Sequence, residues 1–385
     1  MKKQLRNLLS ISLVSALVFS ATSCSSNDDS STNPESSFVL NPNDLSGDIT
    51  SGEVVLSNDK VYQLTGDLIV KDGASLIIKA GTRIEASGIA YIAVEQGGKI
   101  YIEGTKDNPV VMTSLDKKPG SWGGLVICGK APINKADQAS AEVSGLTYGG
   151  TDVNDNSGSI KYLRIEYSGY AYNSEKEFNG LSMFGVGKGT TIEYVQVHEG
   201  SDDGFEWFGG TVDARYLVSS GNEDDQFDWT EGWNGTGEYW YSVQGLGRGN
   251  RGIEADNNSN NRAASPISAP TISNLTLVGL GIENGGSENQ AMKLREGTNG
   301  IFSNVFISNF KTGIDVQHDE TLNAVGSGLK LTNVTFDVVT NKAVYKTTSG
   351  EIILLNNLLT EINDATGAGK GSAVPDWAKG WTIGI

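Results

Sequence analysis

The feature that most restricts the fold of this chain is a short strand that recurs along it. Five segments share two apolar residues separated by one position: KYLRI, EYVQV, SNLTL, SNVFI and TNVTF. Such a pair, for example Leu163 and Ile165, lies on one side of a strand because successive side chains point to opposite faces. No stretch beyond residue 45 holds a helical apolar period for three turns. The chain is therefore predicted to be all-β.

A second strand recurs between copies of the first. Its six copies read GLSMFG, GFEWFGG, QFDWTEG, GIEADN, AMKLREG and GIDVQHD. Their third residues follow one another at steps of 24, 22, 26, 39 and 22 positions: Ser182, Glu206, Asp228, Glu254, Lys293 and Asp315. A step of 22 to 26 residues is typical of one coil of a parallel β-solenoid. The longest step is then one coil that carries the polar insertion 257–270.

These repeats resemble the right-handed parallel β-helix of the pectate-lyase-like superfamily, over about residues 45–342. The resemblance implies a single-stranded solenoid with coils of about 22–30 residues, and it does not fix the function, because enzymes, adhesins and passive binding domains share this fold. We expect the β-helix to occupy residues 45–385, with Trp377 and Trp381 in a C-terminal cap over the last coil.

Three asparagines precede the apolar pair of their strands by one residue, at steps of 30 and 29 positions: Asn274, Asn304 and Asn333. In stacked coils their amides are expected to hydrogen-bond from one coil to the next. The alternative is that they are simply turn residues.

The charge balance of the chain limits its partners. Its 385 residues include 29 Lys and Arg against 46 Asp and Glu, which gives a formal net charge of −17 at pH 7. A phosphate backbone is bound by a surplus of basic side chains, so nucleic acid is excluded as a partner. Two cysteines cannot form a disulfide framework. Cations, neutral polymers and proteins remain as partners.

The N-terminal segment is predicted to be a targeting signal rather than part of the folded domain. Three basic residues within the first six precede an apolar stretch, residues 8–19, that is too short to span a bilayer, and small residues lead to Cys24. A Ser, Asn and Asp tract over 24–44 suits a flexible tether. A plain secretory signal fits as well. The segment resembles the lipobox and surface-export signal of Bacteroidetes lipoproteins, which implies a signal peptide over 1–23, lipidation of Cys24 and an outer-membrane anchor at the cell surface.

Carboxylates recur in the turns that precede the second strand. The segments EGSDDGF and GNEDDQF each hold a pair of aspartates, 22 positions apart, and each following strand adds one more acid. Coils lie about 4.8 Å apart, so stacked carboxylates need a cation, a raised pKa or a basic neighbour. Oxygen ligands from turns suit Ca²⁺. The candidate calcium ligands are Asp202, Asp203, Glu206, Asp224, Asp225 and Asp228; the alternative is that they are ordinary solvated turn residues.

Aromatic residues crowd the same part of the chain, over residues 205–241. Those in or beside the turn EGWNGTGEYWY are candidate platforms for sugar rings or peptide side chains: Trp233, Tyr239, Trp240 and Tyr241. The alternative for each of them is a place in the solenoid interior.

Taken together, the sequence predicts a cell-surface lipoprotein that displays a passive binding β-helix. Its ligand is expected to be an extracellular glycan or peptide, and an accessory role beside an outer-membrane transporter fits too. The resemblance to pectate-lyase-like enzymes implies an alternative, a calcium-dependent polysaccharide lyase that acts on an acidic glycan with a base among Arg251, Lys293 and Arg295. The chain has no P-loop, GxSxG or HExxH motif, which favours a protein that is not an enzyme. A structural or adhesive surface protein is the second alternative.

Overall fold

A computed structural model shows stacked coils of short parallel strands and describes residues 36–173, 176–245, 249–283 and 288–385. The first strands are β1 (Leu45–Ile49), β2 (Gly52–Leu56), β3 (Val61–Val70), β4 (Ala74–Lys79), β5 (Arg83–Ala86), β6 (Ile92–Val94), β7 (Lys99–Glu103), β8 (Val110–Ser114), β9 (Leu125–Cys128), β10 (Ala139–Ser140) and β11 (Thr147–Tyr148). The later elements are β12 (Gly158–Glu166), β13 (Leu181–Phe184), β14 (Thr191–His198), β15 (Phe205–Phe208), β16 (Ala214–Ser220), β17 (Phe227–Thr230), β18 (Thr236–Val243), β19 (Ile253–Ala255), β20 (Thr271–Val278), β21 (Gln290–Leu294), β22 (Gly300–Gln317), α1 (Asp319–Ala324), β23 (Leu329–Lys346), β24 (Ile352–Ile353) and β25 (Leu359–Glu361). Within these ranges, no helix is long and apolar enough to cross a membrane.

Two series of parallel pairings build the coils. The strands that carry the first repeated pattern pair in the order β12, β14, β16, β18, β20, β22 and β23. The strands with the second pattern pair in the order β13, β15, β17, β19 and β21, and this series continues on the second half of β22. The all-β prediction and the parallel β-helix are both confirmed, and each predicted coil step is a strand pairing.

A row of bent residues forms one corner of the solenoid. Each strand of the first series bends at a residue with φ between 50° and 59°, in the left-handed region: Tyr162, Tyr194, Tyr216, Tyr239, Asn274, Asn304 and Asn333. This region is uncommon for a residue other than Gly or Asn. The tyrosine rings stack face to face, with centroid distances of 4.3, 4.4 and 5.0 Å along the row. The stacked rings compensate for the strained backbone.

The asparagines continue this corner row. Asn304 donates from Nδ2 to Oδ1 of Asn274 at 2.8 Å, which confirms the amide ladder for this step. The step to Asn333 differs, because its backbone N–H donates to Oγ1 of Thr360 at 3.2 Å. The ladder therefore covers two of the three asparagines.

The interior of the middle coils is filled by aromatic rings. Trp207 stacks on Trp233 and Trp240, with centroid distances of 4.6 and 5.0 Å, and all three side chains are buried. Phe227 stacks on Trp240 at 4.7 Å. Trp233 and Trp240 donate to the backbone carbonyls of residues 212 and 214, whereas Nε1 of Trp207 is buried and has no hydrogen-bond partner among the described residues.

Residues 362–385 form a strap that runs back across the coils. The strap follows one row of side chains that are in register on successive strands: Thr335, Phe306, Thr276, Tyr241, Val218, Gln196 and Arg164. Thr276 accepts the N–H of Ala368 at 2.9 Å. Gln196 donates to the carbonyl of Ile383 at 2.7 Å and accepts its N–H at 2.9 Å. The strap is thus fixed to coils that are far apart in the sequence.

The prediction that Trp377 and Trp381 cover the last coil is wrong. The ring of Trp381 contacts Tyr162 and Tyr194 edge-on at 5.6 and 6.2 Å, and Trp377 contacts Tyr216 at 5.3 Å. The indoles pack there because the edges of the tyrosine rings are the aromatic surface left at the corner row. The two tryptophans therefore lie beside early coils rather than over the final one.

We predict that the strap makes the solenoid unfold as one unit. A repeat array in which only neighbours touch tends to unfold in parts, whereas the strap joins coils that do not otherwise touch. Trp381→Ala should cost about 3–5 kcal/mol of unfolding free energy, and deletion of residues 363–385 should replace one urea transition by two or more. Circular dichroism measures both. The exposed-site variant Tyr172→Ala is the control, and a single, unshifted transition in the deleted protein would contradict the prediction.

Candidate functional site

The charged face is the outer side of β13, β15, β17, β19, β21 and the second half of β22. Its central row is in register as the sequence predicts: Ser182, Glu206, Asp228, Glu254, Lys293 and Asp315. The flanking residues of each strand are buried in the core, as Phe205 and Trp207 are around Glu206. The acids therefore point away from the core because strand side chains alternate.

A second row of carboxylates lies in the turns that lead into these strands. Oδ1 of Asp203 accepts the backbone N–H of Asp225 at 2.9 Å. One coil further on, Oδ1 of Asp225 accepts the backbone N–H of Arg251 at 2.7 Å. The second aspartate of each pair is thus oriented by the backbone of the next coil.

The two rows together form a carboxylate ladder. In each of three groups, carboxylate oxygens lie within 4.8 Å of one another. The groups are Asp202 with Asp203 and Asp224, Asp203 with Glu206 and Asp228, and Asp225 with Asp228 and Glu254. The six acids named from the sequence are therefore brought together, and Glu254 joins them.

The ladder is not a set of solvated turn residues. Asp203 is only 7% exposed, and Glu206 and Asp228 are half-buried. Burial, reinforced by the neighbouring carboxylates, raises the pKa of Asp202 to about 8. The same two causes raise the pKa of Asp203, Glu206 and Asp228 well above the ordinary range. Without a counter-ion, ionisation of these acids opposes folding.

The three basic residues named as candidate bases are all held in ion pairs. Arg251 contacts Asp225 and Glu254 at 3.0 and 2.9 Å. Lys293 lies 3.3 Å from Glu288 and 3.7 Å from Glu254. Nη2 of Arg295 lies 2.8 Å from Glu254, and its Nε contacts Asp256, also at 2.8 Å. These cations neutralise the later coils of the charged face.

Ion pairing keeps the two guanidinium groups protonated. Burial alone lowers the pKa of Arg251, but Asp225, Glu254 and Glu288 outweigh it, and the net shift is upward. Arg295 behaves in the same way beside Asp256 and Glu254. A raised pKa makes a guanidinium a poorer proton acceptor, so neither residue is suited to act as a base.

Besides the ion-pair partners Glu288 and Asp256, three residues beside the early acids have no counterpart in the sequence predictions. Asn179 donates from Nδ2 to a carboxylate oxygen of Glu206. Glu142, on the excursion that carries β10 and β11, interacts electrostatically with Asp202 and Glu206, and Glu177 interacts with Asp202. Burial raises the pKa of both Glu142 and Glu177. They come from irregular segments, so no periodic signal in the sequence marks them.

The excursion is fixed over the charged face by polar contacts. Oη of Tyr148 donates to Glu231 at 2.6 Å, and Lys135 pairs with the other oxygen of the same carboxylate at 2.8 Å. Ala141 and Val143, on either side of Glu142, are buried against a small apolar cluster on the outer face of the early coils. Glu142 is thereby held on the side of the acids.

The prediction of aromatic binding platforms is not supported by the structure. Trp233, Trp240 and Tyr241 are buried, the first two in the core and the third under the strap, where its hydroxyl donates to the carbonyl of Ser372 at 3.1 Å. Tyr239 is half-buried, and one face of its ring stacks on Tyr216. The interior alternative therefore holds for the two tryptophans. Cys24, the predicted lipidation site, lies outside the described residues.

Comparison with known proteins agrees with the observed fold. The profile of a family described as "Pectate-lyase like beta helix domain" matches residues 47–382. No curated protein sequence matches the chain.

Two solved structures are similar at low identity. The enzymatically active domain of tailspike protein 2 from bacteriophage CBA120 is 15% identical, with 79% of this chain and 42% of that chain covered and a TM-score of 0.28. Full-length tailspike protein 2 from Escherichia coli O157:H7 bacteriophage CAB120 is 14% identical, with 81% and 36% covered and a TM-score of 0.25. The chain spans less than half the length of either structure, and these scores support no inference about its activity.

The raised pKa values predict how stability depends on pH when cations are removed. The folded ladder keeps protons at a pH where the unfolded chain has lost them, so stability is lost as pH rises through the folded pKa values. In chelator-treated protein, the melting temperature should fall by about 5 °C between about pH 6 and pH 9. Asp203→Asn with Asp228→Asn should flatten this slope in differential scanning fluorimetry. The control substitutions Asp107→Asn with Asp116→Asn, at exposed positions, should leave the fall of the melting temperature unchanged. A melting temperature of the wild-type protein that does not change with pH would contradict the prediction.

Proposed function

The chain belongs to the family of pectate-lyase-like beta-helix domains, and on that premise we propose that it is a lipid-anchored surface protein whose β-helix binds an extracellular ligand through a bound cation. The observation that supports this most directly is the carboxylate ladder. Its acids are buried or half-buried and closely spaced, and Asp203, Glu206 and Asp228 form no ion pair among the described residues. A cation is the simplest way to compensate them.

Calcium is the cation that the donors fit best. All ladder ligands are carboxylates, and the nearby Asn179 adds an amide. Ca²⁺ takes six to eight oxygen ligands, and a set without histidine or cysteine does not suit zinc. When bound, such an ion would offset part of the negative charge of the ladder and would coordinate a ligand group that reaches it from the rim, where Asp202 and Asp224 are half-buried.

Binding is favoured over catalysis because the candidate bases are already engaged. Arg251 and Arg295 are held protonated by carboxylates, and Lys293 contacts Glu254 and Glu288. A lyase needs a base that is free to accept the sugar C5 proton. The calcium-dependent lyase therefore remains the second candidate, with only the acid ladder in its favour.

The ligand class follows from the proposed cation. The buried tryptophans offer no stacking platform, so recognition would rest on anionic groups that reach the cation from the rim. Carboxylates of an acidic glycan, or of an acidic peptide, have this chemistry. The N-terminal lipobox-like segment supports a location on the outer membrane as part of this proposal, and capture for an outer-membrane transporter would be one use of such a module there.

We predict that about 1 mM calcium raises the melting temperature of chelator-treated protein. Binding to the folded state alone adds about 2.7 kcal/mol at a hundredfold excess over Kd. Asp203→Asn with Asp228→Asn should abolish this gain, while the exposed pair Asp107→Asn with Asp116→Asn should keep it. Scanning calorimetry with and without chelator makes the comparison, and an identical melting curve in calcium would refute the cation site.

Ligand capture needs its own measurement. On an array that includes acidic glycans, retention should require calcium and should be lost in the Asp203→Asn, Asp228→Asn protein. Bound glycans should be recovered intact. Release of unsaturated products, lost in Lys293→Ala, would instead favour the lyase. Retention that is equal in calcium and in chelator would contradict a cation-mediated contact.

The anchor is tested separately. Because lipidation takes place on the cysteine thiol, Cys24→Ala should move the protein from the outer-membrane fraction to a soluble one, as followed by immunoblot after fractionation and mild washing. Cys128→Ala is the matched control, since that residue lies buried in β9. Membrane retention of Cys24→Ala after washing would rule out the lipid anchor.

A further inference from the structure

The carboxylate ladder offers three successive positions that differ in what compensates them. The rim position lies between Asp202, Asp203 and Asp224, and the middle position between Asp203, Glu206 and Asp228. The third position lies between Asp225, Asp228 and Glu254. Each position has three carboxylates, so the side chains around them decide which one is open to an ion.

The third position is occupied by the guanidinium of Arg251. Nη1 lies 3.0 Å from Asp225 and 2.9 Å from Glu254, and Nη2 lies 3.0 Å from Glu288. The side chain is only 7% exposed, so its charge faces these carboxylates rather than water. A guanidinium in the middle of the carboxylates supplies the positive charge that a metal ion would bring.

The rim position is weaker than the middle one. Asp224 already accepts a hydrogen bond from Nδ2 of Asn250 at 2.7 Å. Asp202 and Asp224 are also half-buried, so water compensates part of their charge, whereas Asp203 is only 7% exposed. The rim position therefore needs a bound cation less than the middle one.

The middle position has a neutral group aimed at it. Asn179 is 3% exposed, and its Nδ2 contacts Glu206 and, at 3.4 Å, the hydroxyl of Ser182. Its Oδ1 is buried and has no hydrogen-bond partner among the described residues. A half-turn of the amide exchanges the two atoms and directs Oδ1 at the carboxylate of Glu206. A cation bound between the two groups would make that orientation favourable.

On the premise of the cation-binding function above, we propose that a single cation binds in the middle position, with Asn179 as its neutral ligand, and that Arg251 is a fixed internal cation that closes the third position to a second ion. Three carboxylates and one amide oxygen supply up to seven ligand atoms, within the range that Ca²⁺ takes. Arg251 thus sets the number of ions, and Asn179 contributes to the affinity for one.

The experiment counts calcium ions and measures their affinity by isothermal titration. Wild-type protein should bind one. Arg251→Gln should bind two, because the third position then lacks its positive charge, whereas Arg251→Lys should still bind one. Arg262→Gln is the control, because Arg262 pairs with Glu296 away from the ladder. If Arg251→Gln folds only in calcium, atomic absorption on the desalted protein gives the same count.

Asn179 is tested by affinity. Asn179→Leu should weaken calcium binding at least about tenfold with the count unchanged, and Asn179→Asp should restore it. Terbium, located by anomalous diffraction, should lie among Asp203, Glu206 and Asp228.

Four outcomes would overturn the proposal in different ways. A count of one in Arg251→Gln removes the role of Arg251, and an unchanged Kd in Asn179→Leu removes that of Asn179, while the proposed function stands in both cases. A terbium ion at the rim moves the site. No calcium binding by wild-type protein overturns the cation function and this inference together.

Discussion

The in-register stacking of parallel coils is the constraint on which the rest of this structure depends. Backbone hydrogen bonds hold equivalent residues about 4.8 Å apart, so whatever one strand places outside is repeated on the next strand. For aromatic and amide side chains this repetition is favourable, as the tyrosine row and the contact between Asn274 and Asn304 show. For carboxylates the same repetition is costly. The protein thus contains rows that stabilise the stack and one row that needs compensation.

The charged face compensates its acids in two ways along its length. In the later coils, Arg251, Lys293 and Arg295 alternate with acids, and the face is neutralised by ion pairs. In the earlier coils, Glu206 and Asp228 face each other in register, and their shared burial raises the pKa of each. The boundary lies at Arg251. Uncompensated charge is therefore restricted to two coils, a small part of the chain, and it is this restriction that makes the ladder a site rather than a general property of the surface.

Much of this arrangement is predictable from the sequence because the coil period reports register directly. The steps between Glu206, Asp228 and Glu254 give their pairing without any knowledge of the structure. The period does not show which outward positions are covered by other segments. Trp233 and Tyr241 follow turn-like sequence, yet one turns into the core and the other lies under the strap. Asn179 and Glu142 reach the ladder from irregular segments. These segments do not follow the coil period, so their positions could not be predicted from the spacing of residues.

The strap also limits how this protein can change in evolution. Repeat proteins ordinarily gain or lose length by duplication or deletion of a unit, because each unit contacts only its neighbours. Here one polypeptide segment meets Thr276 near one end and Gln196 near the other. An added coil between them would displace these two partners by one coil spacing, and the strap would no longer reach both. The number of coils in this span is therefore fixed by the length of the strap. New binding properties must arise by substitution on existing coils or in the loops between them.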